Sequence, residues 1–282
     1  MIVAKEQGAI PPESFQPVFD RVWWHTVQFI AFDGEEPSPT VMGKQRGMGT
    51  LVYADGPCIL TASHVWEQAE AKGLFAVFLE RDSKPRLLAR RAMTPRRWPK
   101  GEKWTEKGPD LALIGLSEVD AADLRDRDKV FLNLDTPRVD SDTPWWAVIG
   151  TLVNEPPRLT STGMDLAVHF YPSSIAGAFE SGGFDYVEVP AHFKKSERPA
   201  SYGGVSGSGL WRFGMKPLKD GSIAWDETLS LDGVAFHEIY DTPEKPGVVR
   251  CHGRQSIERT RALGPEPPKD VVLIDFRKKP SP

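Results

Sequence analysis

Tyr202-Gly203-Gly204-Val205-Ser206-Gly207-Ser208-Gly209-Leu210-Trp211 sets a serine between glycines just before an apolar run. A hydroxyl carried on such a tight turn is open to an approaching carbonyl carbon. Its glycine neighbours have no side chains, so backbone N–H groups can converge on the oxyanion that forms when the hydroxyl attacks. A Gly/Ser run taken alone is an ordinary flexible turn. Two segments upstream give this one its chemical meaning.

The first is Cys58-Ile59-Leu60-Thr61-Ala62-Ser63-His64-Val65, an apolar strand that passes through small residues into a histidine. It carries an imidazole to a strand end, where histidines also serve simply by bonding a nearby carbonyl. The second is Pro109-Asp110-Leu111-Ala112-Leu113-Ile114, an aspartate directly before another apolar strand. Aspartate is common at that place as a turn residue too.

Taken in the order His64, Asp110, Ser206, the three segments resemble the catalytic framework of the trypsin/chymotrypsin-like serine peptidases. The order separates them from the subtilisins, which run Asp-His-Ser, and from the α/β-hydrolases, which run Ser-Asp-His. The resemblance rests on Ala62-Ser63-His64, on Asp110-Leu111-Ala112-Leu113 and on Gly204-Val205-Ser206-Gly207, and it covers roughly residues 45–260. It implies an all-β chain of two packed six-stranded antiparallel barrels with a short C-terminal helix and the site in the cleft between them. The first barrel is expected over 25–139, with His64 and Asp110, and the second over 140–263, with Ser206. The Pro-rich stretch Thr136–Pro144 joins them. Residues 1–24 form an N-terminal extension, and 264–282 form a tail with one apolar run, Val271–Ile274.

The roles follow from the same resemblance. Ser206 is the expected nucleophile, His64 the base that takes and returns its proton, and Asp110 the group that holds the imidazole tautomer. The backbone N–H groups of Gly204 and Ser206 form the oxyanion hole. The implied activity is a serine endopeptidase acting on protein or peptide substrates, with no cofactor and no metal. Ser208 is the subordinate nucleophile candidate, because the family places glycine right after the reactive serine and Gly207 follows Ser206. The base of the substrate pocket falls at Ala200 or Ser201, both small and uncharged, which favours small or apolar side chains. The pocket-wall strand Gly233–Glu238 brings Phe236, His237 and Glu238, and Glu238 at the mouth leaves a basic specificity open. Gly247 keeps the pocket unobstructed.

Val205 departs from the animal enzymes, which carry an aspartate there to grip a newly released N-terminus. The chain is in this respect similar to bacterial and intracellular trypsin-like peptidases. Its oxyanion loop is expected to be held either by its own packing or by an activating protein partner. Two rival readings use the same fold: an inactive binding or scaffold module, and an esterase.

Composition permits all of this. The chain has 282 residues, 40% of them hydrophobic and 26% charged, as in ordinary globular proteins. Its 25 Gly and 25 Pro cut it into short apolar runs, among them Thr50–Tyr53, Phe75–Leu79, Leu111–Leu116, Trp145–Val153, Tyr186–Val189 and Gly233–Phe236, which suit antiparallel strands. Helical periodicity is sustained at Val65–Lys72 and at Ser256–Leu263, where Ser256 is the expected N-cap. The net charge of −4 argues against a nucleic-acid partner, and the basic clusters Lys84–Lys103 and Arg250–Arg261 are expected as solvated faces. No stretch approaches the 18 apolar residues of a membrane span, and Met1–Gln7 carries no secretion signal, so a cytoplasmic location is expected. Cys58 and Cys251 are expected buried and reduced, and the six scattered histidines suggest no metal site.

Overall fold

The apolar runs become strands, and the strands pair into antiparallel sheets. The computed structural model describes residues 10–31, 44–72, 74–78, 86–89, 94–98, 109–138, 141, 143–151, 158–159, 164–165, 169–175, 177–190, 204–239 and 247–264. The first sheet holds β1 (Thr26–Ala31), β2 (Lys44–Tyr53), β3 (Pro57–Thr61), β4 (Leu74–Phe78), β5 (Arg86–Ala89), β6 (Thr94–Arg97), β7 (Ala112–Gly115) and β8 (Leu132–Asn133). Its order is β5-β4-β1-β2-β3-β7-β6, with β8 added in parallel to β2. β9 (Pro144–Gly150) begins the second sheet, and β10 (Arg158–Leu159) pairs with β11 (Met164–Asp165) in a separate ladder. The second sheet continues with β12 (His169–Ser173), β13 (Gly177–Ser181), β14 (Phe184–Pro190), β15 (Gly209–Pro217), β16 (Ile223–Ile239) and β17 (Val248–Gly253), in the order β12-β9-β15-β16-β17-β14-β13. Among the described residues there are four α-helices: α1 (Gln16–Trp24), α2 (Ser63–Lys72), α3 (Glu118–Arg125) and α4 (Arg254–Arg261).

These sheets carry eight and seven strands where the resemblance implied six and six. Part of the surplus has local causes: in the second sheet the Gly182-Gly183 turn, with φ of +59° and +81°, folds β13 back on β14, and in the first β8 is a two-residue bridge. Among the described residues, the end strands β5 and β6 do not pair, nor do β12 and β13.

Strands buried on both faces have apolar runs throughout, as in β3, while β13 and β14 at the end of the second sheet alternate in burial. In β3 every residue is buried, and successive side chains point to opposite faces: Ile59 joins one core, Cys58 and Leu60 the other. That other core is the layer between the sheets, where Leu60 and Leu113 of the first meet Ala147, Ile149, Trp211, Phe213, Leu231 and Val234 of the second. The far face of the second sheet packs Val148, Val189, Leu210, Ala235, Val249 and Cys251 around Val205. Cys58 and Cys251 are free and buried, and burial raises both thiol pKa values, that of Cys58 to about 11.

Residues before the first strand belong to this core. Pro17 lies in the first turn of α1, where its fixed φ suits the helix, and Val18, Phe19 and Val22 enter the layer between the sheets. Phe15, in the 3₁₀ turn just before, packs on Trp145 and Phe213. The C-terminal end of α1 is closed by Lys129, whose Nζ donates to the carbonyls of Trp23 and Thr26 at 2.9 and 3.0 Å, as a cation suits a helix C-terminus. Helix α3 has an N-cap in Ser117, whose Oγ accepts the Asp120 N–H at 3.1 Å.

Helix α4 corrects the expected cap. It starts at Arg254, and Ser256 lies inside its first turn. Asp185 of β14 supplies the capping oxygens instead, accepting the N–H groups of Gln255 and Ser256 at 3.1 and 2.7 Å. The described arginines of the two basic clusters are likewise not merely solvated: Arg96 and Arg261 bridge to Asp55, Arg97 to Glu70, and Arg250 to Glu188. No helix of the described residues is long and apolar enough to cross a membrane. The run Val271–Ile274 lies outside the described residues.

His25 follows α1 directly and is buried, with Nδ1–H donating to the Val130 carbonyl at 2.8 Å. Burial lowers its pKa from 6.5 to about 4. Between those values the unfolded chain binds a proton that the folded chain does not, so stability falls as the pH drops through this window. The expected loss from His25 alone is roughly 2–3 kcal/mol between neutrality and pH 4. Urea unfolding of wild type and His25→Asn at both pH values checks it: the asparagine keeps a donor for Val130, and its stability should change less over the window by about that amount.

Candidate active site

The site begins where β3 runs out. Thr61, its last residue, donates Oγ1–H to the Met48 carbonyl at 2.6 Å, and the Ala62 carbonyl then accepts the N–H groups of Val65 and Trp66, opening α2. Val65 and Trp66 are driven into the first sheet's core. His64, one residue before them, is thereby left at the edge, with its side chain 23% exposed.

Asp110 stands two residues before β7, which pairs with β3, so the register Thr61↔Ala112 brings it beside His64. One carboxylate oxygen accepts the His64 backbone N–H at 2.9 Å, and the other meets His64 Nδ1 at 2.6 Å. A carboxylate only accepts, so Nδ1 carries the proton and Nε2 the lone pair of the neutral ring. Asp110 grips both backbone and ring of one residue and thus fixes the rotamer as well as the tautomer. Its own backbone N–H donates to Nε2 of His252 at 3.0 Å.

The Ser206 turn reaches this pair from the second sheet. The Val205 carbonyl accepts the Ser208 N–H at 2.9 Å, with Gly207 in the third position of the turn at φ +85°. Gly207 N–H donates to Ala235 O at 2.7 Å and Ala235 N–H to Ser208 O at 2.8 Å, which zips the turn onto β16. On the other side the Met48 N–H of β2 donates to the Ser206 carbonyl at 2.8 Å. A Cβ built on Gly47 would lie 2.5 Å from Val65 Cγ2 and 2.6 Å from Ser206 O. The Ser206 backbone and the residue next to His64 therefore flank the same glycine. Ser206 is partly exposed.

Ser208 has a different task. It is fully buried, and its Oγ accepts the Ile149 N–H at 3.0 Å while donating to Gly209 O. Gly204 is buried with φ +100°. Val205 is 1% exposed in the core on the far face of the second sheet, against Gly150. Of the expected pocket residues, His237 and Glu238 are partly exposed on β16, opposite Arg250 and Val249 of β17, and Gly247 is buried just before β17. Phe236 turns to the core, its ring stacked on that of His252 with centroids 4.2 Å apart. Ala200 and Ser201 lie outside the described residues. The residue that sequence reasoning passed over is His252: nothing around it in the chain signals a contact with Asp110, 142 positions away.

No family model matches the chain, and no curated protein does. Among solved structures the chain is similar to the crystal structure of the inactive form of Rv3671c protease, with 15% identity and a TM-score of 0.46 over 94% of this chain and 100% of that one.

The docked turn depends on Gly207. An alanine Cβ there would fall on the Met48 carbonyl oxygen and Thr61 Oγ1 and would also take an unfavourable positive φ. Gly221 has a similar φ of +84° with nothing within 4 Å. Gly221→Ala should therefore cost about 1 kcal/mol from backbone conformation alone, and Gly207→Ala clearly more, about 2 kcal/mol or above. Denaturant unfolding of the two variants side by side is the measurement.

Proposed function

We infer that this chain is a serine endopeptidase of the chymotrypsin-like type, with Ser206 as nucleophile, His64 as general base and acid, and Asp110 as the group that orients and stabilises the imidazole. The observation that carries the reading is the pair of hydrogen bonds that His64 donates to Asp110 beside the docked Ser206 turn. Nδ1–H held by a carboxylate leaves Nε2 to take a proton from a hydroxyl, and the charge then formed on the ring meets Asp110. Ser206 attacks the scissile carbonyl, His64 passes the proton to the leaving amine, and water attacks the resulting acyl-enzyme with His64 again as base. The N–H groups of Gly204 and Ser206 are the proposed oxyanion donors, each contributing about 3 kcal/mol in the transition state.

On this reading the two sheets are the two barrels, residues 25–139 carrying the base and acid and 140–263 carrying the nucleophile. The substrate is a protein or peptide whose side chain meets His237, Glu238 and Gly247, with Ala200 and Ser201 as the pocket base. Burial of Val205 favours an oxyanion loop held by the protein's own packing over one that waits for an activating partner.

The decisive experiment is labelling with a fluorophosphonate probe followed by a peptide-library cleavage profile. Labelling with cleavage is the expected result; labelling with ester but no peptide hydrolysis makes the chain an esterase, and neither makes it a scaffold. Ser206→Ala should fold and lose labelling, with turnover down ~10³-fold or more. Ser208→Ala should keep the nucleophile but lose stability, since its oxygen satisfies a buried N–H. Asp110→Asn should lower turnover about 10⁴-fold at neutral pH, because an amide favours the wrong imidazole tautomer.

A further inference from the structure

A side chain of the second sheet reaches Asp110. β17 ends on Cys251-His252-Gly253, and His252 is wholly buried there. Its Nε2 accepts the Asp110 backbone N–H at 3.0 Å, a bond that crosses from the second sheet to the segment opening β7 of the first. A ring nitrogen that accepts carries no proton, so His252 is the neutral tautomer protonated at Nδ1. Its ring plane is set by aromatic neighbours. Phe236 stacks on it at 4.2 Å and 24°, Tyr186 tilts against it at 5.0 Å, and Phe184 stands nearly edge-on at 6.2 Å.

Asp110 is thus held at three points. His252 fixes its backbone, and its two carboxylate oxygens are engaged by the backbone N–H and Nδ1 of His64. Phe236 belongs to β16, the strand whose Ala235 pins the Ser206 turn. The same strand pair, β16 and β17, therefore holds the serine turn by its backbone and Asp110 by an imidazole.

We propose that His252 is a positioning residue of the site: it sets Asp110 from the opposite sheet, and through Asp110 the orientation of His64 relative to Ser206. The inference rests on the reading of these three residues as a catalytic triad. A neutral ring in an aromatic stack is suited to the task, because its acceptor is aimed without adding a charge beside the Asp110 carboxylate.

The test uses the full chain with His252→Phe, which keeps a ring in the stack and removes the acceptor, and His252→Gln, whose amide oxygen reaches the place of Nε2. Three quantities are read: kcat and KM on a cleaved peptide, the thermal midpoint, and the downfield proton resonance of His64 Nδ1–H. The phenylalanine variant should lower kcat roughly 10- to 100-fold at unchanged KM and displace the resonance, as a misplaced catalytic group does, and glutamine should restore most of both. Wild-type kcat and resonance in His252→Phe would overturn the proposal. So would equal losses in both variants that simply track the thermal midpoint. Should His252→Phe not fold, His252→Asn replaces it, its shorter amide falling short of Asp110, with the same expectations. If the wild-type chain neither labels nor cleaves, the peptidase reading fails. The resonance then decides the role of His252 separately: displacement in the acceptor-free variant supports it, and an unchanged line overturns it.

Discussion

Everything in this molecule depends on the apolar layer between its two sheets. Leu60 and Leu113 from one side and Ile149, Trp211, Phe213 and Leu231 from the other are all nearly or wholly buried there. Fully burying each side chain of this size contributes about 1.5–3 kcal/mol relative to exposure. Helix α1 closes one flank of the layer and Ile257 of α4 another. A one-residue slip of any strand lining this layer would turn its inward side chains to the opposite face and break the layer's packing, so the register is firmly set. That rigidity fixes the strand ends at the seam, and the candidate site is built from those ends.

The polar contacts across the seam are directional. Met48 N–H holds Ser206 O, Gln28 donates Nε2–H to Thr151 Oγ1 at 2.8 Å, and His252 accepts from Asp110. A buried hydrogen bond contributes modestly to stability, but an orphaned partner is costly, so such bonds select one relative placement of the sheets more than they strengthen it. On the outside the C-terminal helix is tied to the first sheet by Arg261 with Asp55 and Asp135, at 2.9 and 2.6 Å. The Arg261 and Arg96 guanidiniums hold the exposed Asp55 carboxyl below its ordinary pKa. Exposed pairs of this kind add little individually, and the buried apolar side chain of Ile257 does more to dock the helix.

The turn sets its two serines in contrasting surroundings. Two residues apart on one turn, Ser206 and Ser208 have the same chemistry and opposite environments. Ser208 faces inward, where its oxygen repairs the unpaired N–H of Ile149 beside the β9–β15 ladder, while Ser206 stands partly open. Gly207 between them makes the reversal of direction, and only a residue without Cβ fits against Met48 and Thr61.

The sequence by itself determined the strand-rich, antiparallel character of the chain, because short apolar runs bounded by Gly and Pro leave few other outcomes. It also marked helix α2 and singled out His64, Asp110 and Ser206, since each sits on a local pattern of glycine, small residues or strand edge that can be read within ten residues. It did not disclose α1, whose buried face of Val18, Phe19 and Val22 is too short to show a period, nor α3, an eight-residue helix with only Ala121 and Leu124 buried. The strand count and the edge pairings were also beyond it, since a strand's partner is chosen by packing and not by its own residues. Only the tertiary structure decided that Asp185 caps α4, that Phe236 turns inward and that His252 meets Asp110. Those contacts join residues far apart in the chain, and the free energy that makes them belongs to the shared core that brings the sheets together, not to any local stretch of sequence.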